Sequence, residues 1–338
     1  MPIPLSGIDS TLANLQPYVA HPLSLLVIFA LANGVMIWRL HIMERKGFEG
    51  TVLGTLIMPY CSGFANLVFA YVMSKSASNG GAVIDNALVN NVTNLTLILG
   101  LSALFGSAAL LPKTKTLQKQ QAEFSRLNRL NLLLTLIALF LFTGTLWALG
   151  NDNELNRYDG YILIGLFLFL FWQILHIIEV LKDNIRKNRQ FHWSIVIDLA
   201  LIAISAYGIY YSVDHLVSWV STTNNPVFSF AKIGWFSGLL MVLPNAFIAL
   251  YYTYLGRQDI VISSQIGDGH ICIPMCIGLF AVFNPIQLPA TFLMGTYLIL
   301  GAGLVHFLSI GILGRIPRFV GAGLIAAYAY FLYNGLIQ

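Results

Sequence analysis

Apolar runs about long enough to cross a bilayer follow one another along almost the whole chain, near residues 21–40, 49–74, 82–111, 128–149, 159–181, 193–213, 228–255, 258–283, 287–311 and 315–335. A hydrocarbon core about 30 Å thick takes roughly 20 helical residues per crossing. Only short polar segments separate the runs, so no extramembrane domain of useful size fits between them. The 18 Lys and Arg and 14 Asp and Glu make 9% of 338 residues, too few to cover a soluble surface. These features exclude a soluble enzyme and predict an all-α membrane protein of ten transmembrane helices.

The charges that remain set the topology. With the N-terminus outside, fifteen of the eighteen basic residues fall in the inside segments 39–49, 112–129, 182–192, 256–259 and 314–318. Lys75, Arg157 and Lys232 fall on the other side, and the acidic segment Asn151–Gly160 is an outer loop. Both termini are then expected outside. The net charge of +4 is absorbed by this pattern and does not indicate nucleic acid. Residues 1–20 lack a basic n-region, so no cleavable signal peptide is expected. Basic connectors without a regulatory domain suit a bacterial inner membrane, with membrane lipid as a partner.

Ten spans divide at the basic connector 183–192 into a first five-helix repeat, 1–182, and a second, 193–338. Five is odd, so the second repeat runs inverted relative to the first, as in transporters whose substrate site lies near the midplane. Polar features recur at matched places. Span 2 carries Pro59-Tyr-Cys-Ser-Gly-Phe-Ala-Asn66 and span 7 carries Leu243-Pro244-Asn245-Ala246, each expected to interrupt its helix. Span 3 places Asn86, Asn90 and Asn94 four residues apart, and span 8 places Ser264, Asp268 and Cys272 likewise, so each set lines one helix face. Asn66 to Asn90 is 24 residues and Asn245 to Asp268 is 23, which superposes the halves with one insertion in the Ser76–Gly81 loop.

At these residues the chain resembles the cation/calcium exchanger superfamily, and the sodium/calcium exchanger group in particular. That family has ten helices in two inverted repeats, each with a Gly-Thr-Ser-x-Pro-Glu segment followed by Gly-Asn-x-x-Gly-Ser-Asn-x-x-Asn. Asp85-Asn-Ala-Leu-Val-Asn-Asn-Val-Thr-Asn94 and the following Leu95–Leu104 are similar to the second part. Ser263-Ser-Gln-Ile-Gly-Asp-Gly-His-Ile-Cys272 is a weaker match that keeps Gly267. The resemblance implies cation antiport, with sliding of spans 1 and 6 as the gate. The chain departs from the pattern at the glutamates: the second falls on Asn245, and the first on Tyr60 or Asn66, according to whether Pro59 or span 3 sets the count.

Calcium takes six to eight oxygens with carboxylates among them. Two amides and one Asp would leave a divalent ion poorly neutralised, whereas one carboxylate suits one monovalent cation or one proton. Asp268 lies about ten residues into its span, where an unpaired carboxylate costs roughly 3 kcal/mol or more. The residues expected at a transport site are Asp268, Asn66, Asn245, Asn90 and Asn94, with Ser62, Asn86, Ser264 and Cys272 beside them. No catalytic residue and no cofactor beyond a transported cation, Na⁺ or H⁺ before Ca²⁺, is expected. The rivals are a non-transporting scaffold derived from the exchanger fold, and a Ca²⁺ or Mn²⁺ exchanger with an unusual site.

The other polar residues read as structural. His270 lies about 200° around the helix from Asp268 and is expected to be packed. Asp85 reads as an acid of the first helical turns, Asp198 as the partner of an inner basic residue, His176 and Glu179 as an interfacial pair, and Lys232 as a snorkelling lysine. Cys61, Cys272 and Cys276 fall in apolar spans, with no second soft ligand set to make a transition-metal site.

Overall fold

A computed structural model describes residues 21–45, 58–76, 79–106, 118–182, 194–222, 232–254, 256 and 258–337. Its helices are α1 (Pro22–Arg45), α2 (Met58–Ser76), α3 (Gly80–Val92), α4 (Gln118–Leu149), α5 (Arg157–Lys182), α6 (Ser194–Thr222), α7 (Ile233–Tyr254), α8 (Gln258–Ile271), α9 (Phe292–Leu308) and α10 (Arg318–Leu332). Four of them run on through a π-helical turn. α3 continues through Thr93–Ile98 into Leu99–Phe105, and α8 through Cys272–Ile277 into Gly278–Phe283. α9 and α10 end in π turns at Ser309–Leu313 and Tyr333–Ile337.

Eight stretches among the described residues are long and apolar enough to cross a membrane, two fewer than the spans expected from sequence. α2 and α5 are not among the eight, and in both the side chains at one end lie outside the described residues. α3 and α8 form the centre: 78% of the residues in each stretch are buried, against 22–47% in the other six. α1 and α6 pack mainly on each other at the edge, with Gly208 against the Ala32 side chain.

Contacts sort the helix ends into two groups. At one end, the loop after α4 and the loop after α8 pair as a two-residue antiparallel ladder, β1 (Glu154–Leu155) with β2 (Ile286–Gln287). There too Asn284 donates to the Ser74 carbonyl at 3.1 Å, and Lys232 to the Leu336 carbonyl at 3.1 Å. Lys232 therefore ties the start of α7 to the end of α10 rather than simply reaching for solvent. At the opposite end Arg39 of α1 lies 3.4 Å from the buried Asp198 of α6, the inner basic partner expected for it. Arg129 of α4 donates to the Gly311 carbonyl, and the Ser102 and Thr253 hydroxyls share a hydrogen bond.

One expectation needs correction: α7 runs unbroken through Pro244. The stretch before Met58, on which the expected interruption at Pro59 depends, lies outside the described residues. Pro244 forfeits only one intrahelical bond, and α7 packs closely along α3. The departures from α geometry fall instead within α3 and α8 and at the ends of α9 and α10, and Pro274, lacking an N–H, sits within the π turn of α8.

Apolar burial drives little helix association in lipid, so close packing must supply it. A Cβ at Gly234 of α7 would sit 2.7 Å from the Asp85 Cβ and closer still to the Ala82 carbonyl. Gly100 and Gly321 meet in the same way where α3 crosses α10, each Cβ position under 3 Å from the other's carbonyl oxygen. Gly34 of α1 has nothing within 4 Å. Gly234→Val should thus cost about 1–3 kcal/mol of stability, and Gly34→Val close to none, as read from thermal unfolding in detergent.

Candidate functional site

Asp268 is completely buried where α8 crosses α3. A carboxylate there needs donors from protein, since an unmet charge in a low-dielectric interior is expensive. Asn94 supplies one, its Nδ2 2.9 Å from Asp268 Oδ2. Asn90 Nδ2 donates to the same oxygen and lies 3.4 Å from the Cys272 Sγ, itself 3.8 Å from Oδ2. The four-residue spacing seen in the sequence brings these groups together: Asn90 and Asn94 from one helix close over Asp268 and Cys272 of the other. Asn94 already belongs to the π turn of α3, and Cys272 opens that of α8.

The amides are only half used. Both side-chain oxygens, Asn90 Oδ1 and Asn94 Oδ1, are buried without a donor. Asn66 of α2 is fully buried with neither amide atom partnered, and Asn245 of α7 is buried with its Nδ2 unpartnered. Buried polar groups are ordinarily satisfied, so these amide atoms on α2, α3 and α7 are polar groups that the fold itself leaves unused.

The remaining expected residues are placed differently. Asn86 donates to Ser237 Oγ at 2.9 Å and lies 3.4 Å from the Met241 sulfur, so it bonds α3 to α7. Ser264 donates to the Val261 carbonyl of its own helix and accepts from Gln265 at 3.1 Å. The Ser62 side chain lies outside the described residues, as do those of Cys61, His176 and Glu179. His270 is packed as expected, its Nε2 2.8 Å from the Thr135 carbonyl and its ring edge-on to Phe142. Asp85 sits in the second turn of α3 and accepts from Thr291. Among the described residues no group of three or more His, Cys, Asp and Glu side chains is arranged to hold a metal ion.

Sequence reading missed four polar residues. Ser237 partners Asn86, while Asn91 Oδ1 and Gln265 Oε1 are further buried amide oxygens without donors. His306 of α9, completely buried, lies 2.7 Å from the Leu95 carbonyl. An ionisable residue within an apolar span is a signal by itself, and would have found His306. Nothing in their spacing distinguishes the others.

The sodium/calcium exchanger protein family matches residues 18–175. No curated protein matches the chain by sequence at a significant level. Among solved structures, the sodium-calcium exchanger NCX_Mj soaked with 2.5 mM Na⁺ and 10 mM Sr²⁺ is 18% identical, with 93% of this chain and 97% of that one aligned at a TM-score of 0.64. The same exchanger soaked with 2.5 mM Na⁺ and 0.1 mM Ca²⁺ is 18% identical over 93% and 96% of the two chains (TM-score 0.63). Soaked with zero Na⁺ and Ca²⁺ it is 17% identical over 93% and 98% (TM-score 0.63). Likeness at this identity shows the fold. With eight stretches among the described residues long and apolar enough to cross a membrane, the class is that of a multi-pass membrane protein with this fold. The family match covers 158 of the 338 residues, and the fold is that of the sodium-calcium exchanger NCX_Mj.

The hydrogen bond from Asn94 to Asp268 is open to test. Asn94→Leu should lower stability by about 1–3 kcal/mol, because a buried carboxylate loses a donor. The penalty should shrink by about 1 kcal/mol or more in an Asp268→Leu background, a coupling that a double-mutant cycle of unfolding midpoints would measure.

Proposed function

We propose that the protein is a secondary antiporter that moves a monovalent cation, exchanged against Na⁺ or H⁺, through the α3–α8 crossing by alternating access. The observation that carries the reading is Asp268, a carboxylate in the enclosed centre that meets two carboxamides and a thiol. Family and fold support cation antiport in general; the choice of a monovalent ion rests on charge. One carboxylate neutralises one positive charge, and a divalent ion would retain an uncompensated charge in a low-dielectric site. NCX_Mj is by name a sodium-calcium exchanger, so this chain would keep the fold while changing the ion.

The amides give the exchange a physical route. As placed, Asn90 and Asn94 point their NH₂ groups at ionised Asp268, and their carbonyl oxygens have no donor. A half-turn of each amide presents two neutral oxygens beside the carboxylate, which together suit a desolvated monovalent cation. Protonation of Asp268 removes the same charge, so proton and cation compete for one group. Asn66 and Asn245, buried on α2 and α7, are the next oxygens for the ion, with Ser62, Asn86, Ser264 and Cys272 around them. The gate is sliding of α1 and α6, which pack on each other and of whose apolar stretches only 28% is buried.

The proposed frame is ten crossings in two inverted repeats, 1–182 and 193–338, joined by the inner connector 183–192, in a bacterial inner membrane with both termini outside. A repeat spacing supports it. The central π turns begin at Thr93 and Cys272, 179 residues apart, as are Asn66 and Asn245, and Asn90 and Asp268 differ by 178.

Asp268→Asn should reduce cation-dependent flux in proteoliposomes at least tenfold while the unfolding midpoint moves by only a few degrees. Undiminished flux in a folded mutant sinks the mechanism. The ion itself is read from thermal stability: Na⁺ at 100 times its Kd should stabilise the protein by about 2.7 kcal/mol. Selective stabilisation by Ca²⁺ or Mn²⁺ would instead assign a divalent exchanger, and a flat response to every cation a scaffold.

A further inference from the structure

We propose that His306 of α9, assisted by Tyr328 of α10, is a positioning residue that holds the π turn of α3 in the register from which Asn90 and Asn94 reach Asp268. The inference rests on the antiport reading above and concerns residues outside the four helices that build the centre.

In an α-helix the Leu99 N–H would bond the Leu95 carbonyl. Here it reaches the Asn94 carbonyl, as the π turn requires, and the Thr96 carbonyl, but not that of Leu95. The Leu95 carbonyl is met from outside the helix by His306 Nε2 at 2.7 Å. A carbonyl only accepts, so Nε2 carries the proton and Nδ1 holds a lone pair, which has no partner in the buried interior. An apolar side chain of the same size would fill the space without desolvating two ring nitrogens. What the imidazole adds is a single donor aimed at a backbone carbonyl whose α-helical partner the π turn has diverted. Leu95 is the residue after Asn94, so this bond fixes the backbone that carries the carboxamide. Two residues earlier, the Thr93 hydroxyl lies 2.6 Å from the Val89 carbonyl and 3.3 Å from the Tyr328 hydroxyl, a second brace on the same turn from α10. Neither His306 nor Tyr328 hydrogen-bonds Asp268, so their influence on an ion would pass through the amides.

The test uses the full-length protein in proteoliposomes, with Na⁺ as the probe, and compares His306→Phe with His306→Gln, whose amide NH₂ can still donate to Leu95. His306→Phe should raise the half-saturating Na⁺ concentration at least fivefold, with the maximal rate within twofold of wild type. His306→Gln should return it to within about twofold of wild type. Hydrogen exchange in detergent should show amides 94–99 at least tenfold faster in His306→Phe and near wild type in His306→Gln. Faster exchange without a change in half-saturation makes His306 a structural brace only and overturns the proposal, as does a Gln variant no better than Phe. If His306→Phe does not fold, the comparison of His306→Gln with Tyr328→Phe decides: near-normal half-saturation in the first and a two- to threefold rise in the second are expected, and no rise in the second overturns the role of α10. A wild-type protein without cation-dependent flux overturns the antiport reading, and this role with it. Slow exchange at 94–99 in His306→Phe overturns the positioning role alone.

Discussion

A carboxylate at the centre of a bundle this poor in charge must be met by protein donors, and in this chain the donors come from a neighbouring helix. Asp268 on α8 is bonded by two carboxamides of α3, so the two helices cannot separate or change register without stripping donors from a buried acid. That constraint accounts for their place at the enclosed centre while α1 and α6 lie at the edge. It also accounts for the glycine contacts around them. Gly234 and Gly238 let α7 lie against the α3 backbone, Gly63 lets α2 approach Ile271 of α8, and Gly269 leaves room for Asn91. With little hydrophobic driving force between helices in lipid, such contacts and a few hydrogen bonds carry the packing.

The π turns are where packing and chemistry meet. Each introduces a register change into a central helix and diverts backbone carbonyls from their α-helical partners. In α3 the diverted Leu95 carbonyl is met by His306, and in α8 a proline that could not have donated lies within the turn. Both turns sit beside residues of the polar centre. Irregular backbone at membrane depth is tolerated where it is enclosed by protein or lines a polar site, and here it is enclosed.

Much of the fold was legible because the bilayer imposes simple rules. Length and hydropathy located apolar helices, eight stretches of which among the described residues are long enough to cross a membrane. The four-residue stripes of Asn90, Asn94, Asp268 and Cys272 survive as direct contacts, because helical periodicity puts such residues on one face whatever surrounds them. Pro244 misled: a proline breaks a helix only where neighbours do not hold it together, and α7, packed along α3, runs through Pro244. Asn86 and Ser264 share the stripes but turn to Ser237 and Val261, since face membership does not decide which acceptor is nearest.

The sequence by itself determined that the chain lives in a membrane, which segments are helical and that one acid lies deep within a span, because hydropathy and periodicity are local properties of the chain. Only the tertiary structure decided that Asp268 is met by Asn90 and Asn94, that the central helices carry π turns and that His306 caps one of them. Those outcomes depend on which helices cross and at what separation, and crossings are set by contacts between residues as far apart as the 178 positions that separate Asn90 from Asp268.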